Sequence, residues 1–470
     1  MLEGAWRRER PRLLTRGAGA LLAIACLAPH PACTPSRPRN AVLIVLDTLR
    51  ADRISAYGNA RRTSPEIDAL AERGVLFETV VTTTPWTLPA MVGLMTGEYP
   101  SARTFHDGLQ RSLVENLRAA GWATAAFTEG GFVSERFGFE RGFELFREPE
   151  EPVPEIGSQN TAKNIDATFA GAREWLAAHG RDRPFFLLVH TYEAHRPYRR
   201  LTYADGLERG RLTPTYEVDY ATYIYRNPTV FSEAELAYLR ALYDGGVAEA
   251  DRHVGQLLTA LSSLDLERDT LVVVTSDHGE DLGDRSPMRP GHHGHALYDE
   301  QVLVPLVLYD PSRRYPVHRV AAQVRLVDVL VTICDRLGLA PEPDRHGRSL
   351  VPLMTGEETE DRLAWLDVPR HELLGSPAHS GLRTGRFKVI LNPRFSTGRR
   401  LEVYDLGQDR GERTNVAGRD PQRNAALKLE FDRTRAELAR LGVPRFRQRR
   451  AEPESDAQLD ERLRSLGYLE

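Results

Sequence analysis

Three continuous apolar runs, each followed by polar residues, dominate the hydrophobic pattern of this chain. They cover residues 41–46, 184–189 and 270–275. An uninterrupted run of this length is typical of a central parallel strand that is buried on both faces. Because parallel strands bring their carboxyl ends to one edge of a sheet, we expect the polar residues after the three runs to meet in one cleft.

Helical periodicity separates these runs. It predicts helices over residues 64–74, 112–120, 162–179, 232–264 and 324–337, and shorter strands over 124–128 and 304–308. Strands that alternate with helices indicate an α/β fold with a large mixed, mostly parallel sheet between helices. Residues 200–230 are rich in Tyr, Arg and Thr without a clear period, and we interpret them as a surface insertion.

The pattern changes near residue 355, where a charged and irregular stretch begins. Residues 385–391 and 401–406 alternate like an antiparallel pair, and 424–441 have the pattern of an amphipathic helix. The sequence therefore predicts a main domain over 40–355 and a smaller α+β subdomain over 375–470, in which the charged residues 445–458 form a mobile stretch.

Residues 1–39 have the layout of an export segment with a linker. Several arginines precede an apolar run over 18–28, which is too short to span a bilayer comfortably. Cys26 or Cys33 could carry a lipid, which would attach the protein to a membrane. We expect an exported protein, periplasmic or on the outer surface. A disordered or membrane-anchoring N-terminus is the alternative.

Composition narrows the class of protein further. Apolar residues make up 41% of the 470 residues, which is enough for a sizeable core. The net charge of −4 offers no electrostatic reason to expect a nucleic-acid partner. Three cysteines, two of them in the export segment, predict no disulfide framework. The only lysines are Lys163, Lys388 and Lys428, a bias from which we predict no function.

Residues 84–97 predict a loop that turns into a short buried helix. Pro89 suits the first helical position, and Gly97 is a plausible end. Thr87 would then lie where backbone N–H groups and the helix dipole favour an anion. Its hydroxyl could either cap the helix or attack an anionic ester.

The residues after the three apolar runs form a candidate metal site. The runs lead into Asp47, into His190 and His195, and into Asp277 and His278. Carboxylates and imidazoles suit a divalent cation such as Zn, Mn or Ca, which would activate a nearby hydroxyl. Each residue alone is as well explained by a turn, a cap or a structural role, and His190 in particular fits a structural role.

Several short motifs occur in a characteristic order. They are residues 47–52, Thr87-x-Pro89 with 96–100, 195–198, 276–280 and 293–298, followed by 403–406 and 463–468. As a set they resemble the sulfatase family of the alkaline phosphatase superfamily, over residues 39–470. The resemblance implies an alkaline-phosphatase-like fold and an ester hydrolase.

The resemblance also implies roles for individual residues. Asp47, Asp277 and His278 would hold one divalent metal ion. Thr87 occupies the position of the nucleophile and would also touch the metal. His195 and His293 would hold or protonate the ester oxygens.

Three departures from the family pattern bear on the chemistry. Thr48 stands where the family often has a second acidic residue. Sulfate-cleaving members carry Cys or Ser, converted to formylglycine, followed four residues later by Arg. Here Thr87 and Met91 stand at those positions. A threonine nucleophile instead resembles the superfamily's phosphodiesterases and phosphotransferases. Residues 33–37 match the formylglycine signature, but they precede no apolar helix, which argues against their use.

The sequence thus predicts a metal-dependent hydrolase of an anionic sulfate or phosphate ester. The substrate would be a small molecule, a glycan or a lipid. A phosphodiesterase or phosphotransferase of the same superfamily is one alternative. A non-catalytic protein that kept the fold and the anion pocket is another.

Overall fold

Strand β1 (Asn40–Leu46) lies at the centre of the large sheet, with apolar core on both faces. It pairs in parallel with β6 (Phe185–Thr191) and with β7 (Thr270–Thr275). Its side chains alternate between two apolar clusters, which contain Val42, Ile44 and Leu46 on one face and Ala41, Leu43 and Val45 on the other. Burial on both faces explains the continuous apolar runs, and the prediction of three central parallel strands is confirmed.

Five further strands complete this sheet: β2 (Val75–Phe77), β4 (Ala123–Phe127), β5 (Leu145–Arg147), β9 (Leu306–Tyr309) and β10 (Arg319–Val320). The spatial order is β10-β2-β9-β7-β1-β6-β4-β5. Strand β9 runs antiparallel to both β7 and β2. The sheet is therefore mixed but mostly parallel, as the sequence predicted.

A second, three-stranded sheet contains β3 (Val80–Val81), β8 (Leu303–Val304) and β11 (Val324–Arg325) in the order β11-β3-β8. Two predictions were wrong here. Residues 304–308 are not one strand, because Pro305 separates β8 from β9. Residues 324–337 do not begin as a helix, because their first two residues pair in parallel with β3.

Helices cover both faces of the large sheet. On one face lie α1 (Pro65–Arg73), α4 (Ile165–His179) and α5 (Glu233–Ser263), and on the other α2 (Thr87–Thr96), α3 (Leu113–Ala119), α7 (Asp328–Arg336) and α8 (Val351–Thr355). A short helix, α6 (Asp299–Val302), precedes β8. Capping boxes at Ser112 and Ser232 explain why α3 and α5 begin where they do.

The C-terminal part contains a four-stranded antiparallel sheet of β12 (Ala364–Val368), β13 (His379–Arg383), β14 (Phe387–Leu391) and β15 (Leu401–Asp405). Helix α9 (Pro421–Arg440) packs on it, with the rings of Trp365 and Phe431 4.8 Å apart. The predicted antiparallel pair is confirmed as β14 and β15. The sequence did not predict β12, which precedes residue 375.

This computed structural model describes residues 37–100, 108–149, 163–179, 181–212, 230–285, 290–340, 345–368, 378–391 and 401–441. The predicted export segment with Cys26 and Cys33, the stretches 445–458 and 463–468, and most of the interpreted insertion lie outside these residues. Among the helices of the described ranges, none combines the length and apolar character needed to cross a membrane.

Candidate active site

Asp47 and Asp277 lie side by side at the carboxyl edge of the large sheet. Asp47 directly follows β1, and its backbone N–H donates to the carbonyl of Thr191 on β6, 3.0 Å away. Asp277 lies just beyond β7, and its Oδ1 accepts a hydrogen bond of 3.2 Å from the backbone N–H of Thr48. Both carboxylates are buried. The ends of two adjacent parallel strands therefore bring these predicted residues together.

The ring of His278 presents an acceptor nitrogen to Asp277. Its Nδ1 lies 2.8 Å from the carbonyl oxygen of Gly279, which can only accept, so Nδ1 carries the ring proton. Nε2 is left with a lone pair and lies 3.3 Å from Oδ2 of Asp277. The hydroxyl of Ser276 holds this loop by donating to the carbonyl of His278, 2.8 Å away.

Helix α2 places the Thr87 hydroxyl between Asp47 and His278. Oγ1 lies 3.2 Å from Oδ2 of Asp47 and 3.2 Å from Nε2 of His278. The helix begins at Thr87, with Trp86 as its N-cap, so the prediction that Pro89 takes the first helical position was wrong. Within the described residues 86–97, the side chain of the N-cap residue makes no capping hydrogen bond. The hydroxyl therefore faces the carboxylate and the imidazole, and the capping alternative is wrong.

Asp47, Asp277 and His278 each offer one ligand atom, and these atoms lie within 4.8 Å of one another. Two buried oxygens of this group, Oδ1 of Asp47 and Oδ2 of Asp277, accept no hydrogen bond within the described part of the chain. Burial raises the pKa of Asp47, and the charge of Asp277 raises it further. Buried carboxylates with unused lone pairs and mutual repulsion are relieved by a cation, so these residues fit a metal ion.

His190 lies beside the same group, on β6 rather than after it. The ring is buried, and in the described ranges neither ring nitrogen has a hydrogen-bond partner. Nε2 lies 3.5 Å from Oδ2 of Asp47. Burial lowers the pKa of His190, which favours the neutral ring. The sequence left a structural role open, whereas the contact with Asp47 places His190 at the site.

His293 lies between His278 and His195, with ring centroids 4.4 Å and 5.0 Å away, respectively. Its Nδ1 lies 3.1 Å from Oε1 of Glu280. Although burial acts to raise it, the His293 ring holds the pKa of Glu280 below its usual range. The carboxylate can only accept, so Nδ1 of His293 carries a proton and donates it to Glu280.

His195 has a different environment from His293. Its Nδ1 bonds to the carbonyl oxygen of Arg196, so Nδ1 carries the proton of the neutral ring. Burial and the neighbouring His293 ring hold the pKa of His195 well below its usual range. The two histidines therefore have different partners: Nδ1 of His195 is bonded to a backbone carbonyl, which leaves Nε2 unprotonated, and Nδ1 of His293 is bonded to a carboxylate.

The structure shows the surroundings of Thr48 and Met91, two residues that depart from the family pattern. Thr48 has a positive φ of 59°. Its hydroxyl donates to the main-chain carbonyl of Asp47, 2.7 Å away. Met91, a residue of α2, is buried in the apolar cluster that this helix forms with one face of the large sheet. Neither position supplies the acidic or the cationic group of the family pattern.

Two charged residues that the sequence analysis missed hold the segment after β6. Glu129 accepts hydrogen bonds of 2.8 Å from the Thr191 hydroxyl and the Tyr192 backbone N–H. Lys163 donates to backbone carbonyls around His195. Glu129 follows the predicted strand 124–128, so the signal that identified Asp47 would have found it. Lys163 follows no predicted strand, so the same reasoning would not have found it.

Comparison with known protein families gives two overlapping matches. Residues 39–339 match the sulfatase family. Residues 292–437 match the C-terminal region of the N-sulphoglucosamine sulphohydrolases. The first match includes all of the site residues described above, and the second includes His293 and the antiparallel sheet.

Curated relatives align over most of the chain. The delta 4,5-hexuronate-2-O-sulfatase of Bacteroides thetaiotaomicron is 25% identical over 428 residues, which cover 83% of this chain and 86% of the relative. Arylsulfatase K of Gallus gallus is 26% identical over 468 residues, which cover 88% of this chain and 85% of the relative.

Solved structures share the fold. A protein in complex with its substrate D-glucosamine-2-N,6-O-disulfate has a TM-score of 0.69 at 20% identity, over 86% of this chain and 98% of that chain. The phosphonate monoester hydrolase of Agrobacterium radiobacter has a TM-score of 0.65 at 24% identity, over 86% and 96%, respectively. The predicted alkaline-phosphatase-like fold is thereby confirmed.

Proposed function

This chain belongs to the sulfatase family, as the order of its motifs predicted, and we propose that it is a metal-dependent ester hydrolase with Thr87 as its nucleophile. One observation carries the proposal: the Thr87 hydroxyl lies 3.2 Å from both Oδ2 of Asp47 and Nε2 of His278. A hydroxyl held among metal-ligating side chains is the arrangement in which an alcohol becomes nucleophilic.

Asp47, Asp277, His278 and the Thr87 oxygen would hold the metal ion. When bound, a divalent cation would lower the pKa of the hydroxyl and neutralise charge on the anionic ester. Of the predicted ions Ca, Mn and Zn, an imidazole ligand favours Zn or Mn over Ca, which prefers oxygen ligands throughout.

In the first step Thr87 attacks the ester. Oγ1 forms a bond to phosphorus or sulfur while the bond from that atom to the leaving oxygen breaks. The hydroxyl proton leaves along its hydrogen bond to Oδ2 of Asp47. His293, which Glu280 holds through Nδ1, gives a proton to the leaving oxygen.

In the second step water cleaves the threonyl ester. Nε2 of His195 takes a proton from the attacking water, because burial keeps this ring neutral and its Nδ1 proton is committed to Arg196. The bond between Oγ1 and phosphorus or sulfur breaks, and Oγ1 takes back the proton that Oδ2 of Asp47 accepted in the first step. His195 then loses a proton to solvent, and His293 gains one from it. Transfer to another alcohol in place of water would make the same site a phosphotransferase.

The nucleophile and the family favour different esters. Threonine does not form the formylglycine aldehyde of the sulfate-cleaving members, and Met91 supplies no guanidinium beside it. These two residues favour a phosphate ester. Family membership and the sulfatase relatives favour a sulfate ester.

The substrate proposal follows from two aromatic rings, one of them on the residue that precedes Thr87, and from the relatives. Trp86 and Phe132 are both partly exposed, and their rings meet edge to face with centroids 5.3 Å apart. Aromatic faces of this kind stack on sugar rings and other flat apolar surfaces. Together with the glycan sulfatase relatives, they support a sulfated or phosphorylated glycan as the substrate. The N-terminal pattern supports an exported protein, carrying a lipid if Cys26 or Cys33 is modified.

Hydrolysis of matched esters by the full-length protein tests the proposed function. Nitrophenyl sulfate, nitrophenyl phosphate and bis-nitrophenyl phosphate would be offered with Zn, Mn or Ca in turn. The proposal predicts metal-dependent turnover of at least one ester, abolished in Thr87→Ala and partly retained in Thr87→Ser. The serine variant is the matched control, because it keeps the hydroxyl.

Two results would contradict the proposal. Sulfate turnover that survives Thr87→Ala would place the nucleophile elsewhere, and a Cys33→Ala variant would then test the formylglycine-like signature. A protein that binds no metal and hydrolyses none of the esters would favour the non-catalytic anion-binding alternative.

A further inference from the structure

One lysine holds the backbone on which His195 lies. Nζ of Lys163 donates to the carbonyl oxygens of Glu193 and Pro197, 3.3 Å and 2.7 Å away, and to that of His195 itself. The three acceptors are alternate residues of one short segment. A single ammonium group therefore fixes the backbone on both sides of His195 and at His195.

The chemistry of this contact is specific to lysine. An ammonium has three donors on one atom, and here they meet three acceptors, so none is left to bind a substrate oxygen. A guanidinium is planar and cannot direct its donors to three converging carbonyls. Only three of the 62 basic residues in the chain are lysines, yet Lys163 stands at a position where the geometry requires one.

The contacts of Lys163 with the backbone also affect the imidazole ring of His195. Nδ1 of His195 bonds to the carbonyl oxygen of Arg196, and this carbonyl lies between two of those that Lys163 holds. The bond keeps the ring proton on Nδ1 and leaves Nε2 as the basic atom. Fixing the carbonyls at His195 and Pro197 thus fixes the group that sets the tautomer of the ring.

We propose that Lys163 is the positioning residue for His195: it holds the segment whose carbonyl at Arg196 orients the ring and keeps the ring proton on Nδ1, so that Nε2 is free to accept one. This inference rests on the proposed function, in which Nε2 of His195 takes the proton of the water that cleaves the Thr87 ester.

The surrounding charges are consistent with this role. Burial lowers the pKa of Lys163 to about 8, and the carboxylates of Glu193 and Glu129 act in the opposite direction. Glu129 holds the start of the same segment through Thr191 and Tyr192. The segment is therefore fixed at its beginning by a carboxylate and around His195 by the ammonium.

Kinetics of Lys163→Met test the proposal. Loss of the positioned base slows only the second step, so we expect kcat for a nitrophenyl ester to fall about tenfold or more while kcat/KM changes by about twofold or less. The covalent Thr87 ester then accumulates, which appears as a burst of nitrophenol. Lys163→Arg is expected not to restore kcat. Lys428→Met, which removes a partly exposed lysine that pairs with Asp432 on α9, is expected to behave like the wild type.

A second variant shows whether the effect passes through His195. His195→Ala is expected to produce the same fall in kcat, and adding Lys163→Met to it is expected to cause no further fall. A burst with non-additive losses supports the proposal. Equal losses in kcat and kcat/KM, additive losses, or recovery in Lys163→Arg would overturn it.

Amide hydrogen exchange gives a measurement that needs no turnover. In Lys163→Met we expect faster exchange confined to residues 192–198, while exchange in β1 and β7 is unchanged. If Lys163→Met does not fold, Lys163→Gln is measured in the same way. If the wild-type protein hydrolyses no ester, the proposed function fails, and exchange alone decides. Unchanged exchange over 192–198 would overturn the positioning role.

Discussion

Nε2 of His190 lies 3.5 Å from Oδ2 of Asp47, and both side chains are buried. Burial lowers the pKa of this histidine, so the neutral ring does not compensate the charge of the carboxylate. Asp277 adds a second buried carboxylate beside the first. The site therefore combines excess negative charge with unused lone pairs, which is what a bound divalent cation would compensate.

This excess charge leads to a prediction for Asp47→Asn. Removing one of two repelling buried carboxylates is expected to raise the free energy of unfolding of the metal-free protein by about 1–3 kcal/mol. The same variant is expected to lose the stabilisation that added Zn or Mn gives the wild type. Denaturant unfolding with and without metal measures both effects. The exposed Asp205→Asn is the control. A variant that is less stable without metal, yet still stabilised by it, would contradict this account.

Lys388→Met is predicted to destabilise the junction between the C-terminal sheet and the main domain. Nζ of Lys388 donates to the carbonyl of Leu297, 2.9 Å away, and pairs with the carboxylates of Asp299 and Glu412. Asp299 keeps its ion pair with Arg383, but the buried carboxylate of Glu412 is left without this cation, so we expect a loss of about 3–5 kcal/mol in the free energy of unfolding.

Guanidinium unfolding measures this loss. Adding Glu412→Gln to Lys388→Met removes the uncompensated charge and is expected to recover part of the stability. Lys428→Met is again the matched lysine control. A loss below about 1 kcal/mol, the range of exposed ion pairs, would show that the Lys388 network does not stabilise the fold.

The raised pKa of Glu129 leads to the prediction that the free energy of unfolding depends on pH. Burial raises the pKa of Glu129 to about 7 against its hydrogen bonds from Tyr192 and Thr191. The folded state therefore binds this proton more tightly than the unfolded state, and stability falls as pH rises from about 4.5 to about 7. Glu129→Gln is expected to reduce the slope over this window by up to about 1.4 kcal/mol per pH unit. Urea unfolding between pH 4 and 8 tests this, and an unchanged slope would rule out Glu129 as the titrating group.

The central strands were predictable because a strand that is buried on both faces has apolar residues at consecutive positions. Strand β1 is apolar at every position from Ala41 to Leu46 because it has core on both faces. The carboxylates and imidazoles that follow such strands were predictable for a topological reason, since parallel strands end at one edge. The same reasoning applied to β4 would have included Glu129.

Features that depend on distant contacts were not predictable. Residues 324–337 have a helical apolar pattern, but pairing with β3 takes the first two residues into a strand. Lys163 lies just before α4 and acts on a segment some thirty residues later. Its partners are backbone carbonyls, which every residue has, so the residue types do not indicate these contacts. The capping interpretation of Thr87 failed because Asp47 and His278, distant in the chain, determine where its hydroxyl points.

Detection of a covalent ester on Thr87 decides whether this residue is the nucleophile. Wild type and Lys163→Met would be mixed with Mn or Zn and the nitrophenyl ester that turns over best, quenched in acid within the burst, and digested for peptide mass spectrometry. We expect the peptide containing Thr87 to gain one phosphoryl or sulfuryl group, to a greater extent in Lys163→Met. Turnover with no modified Thr87 in either protein, together with activity in Thr87→Ala, would contradict it.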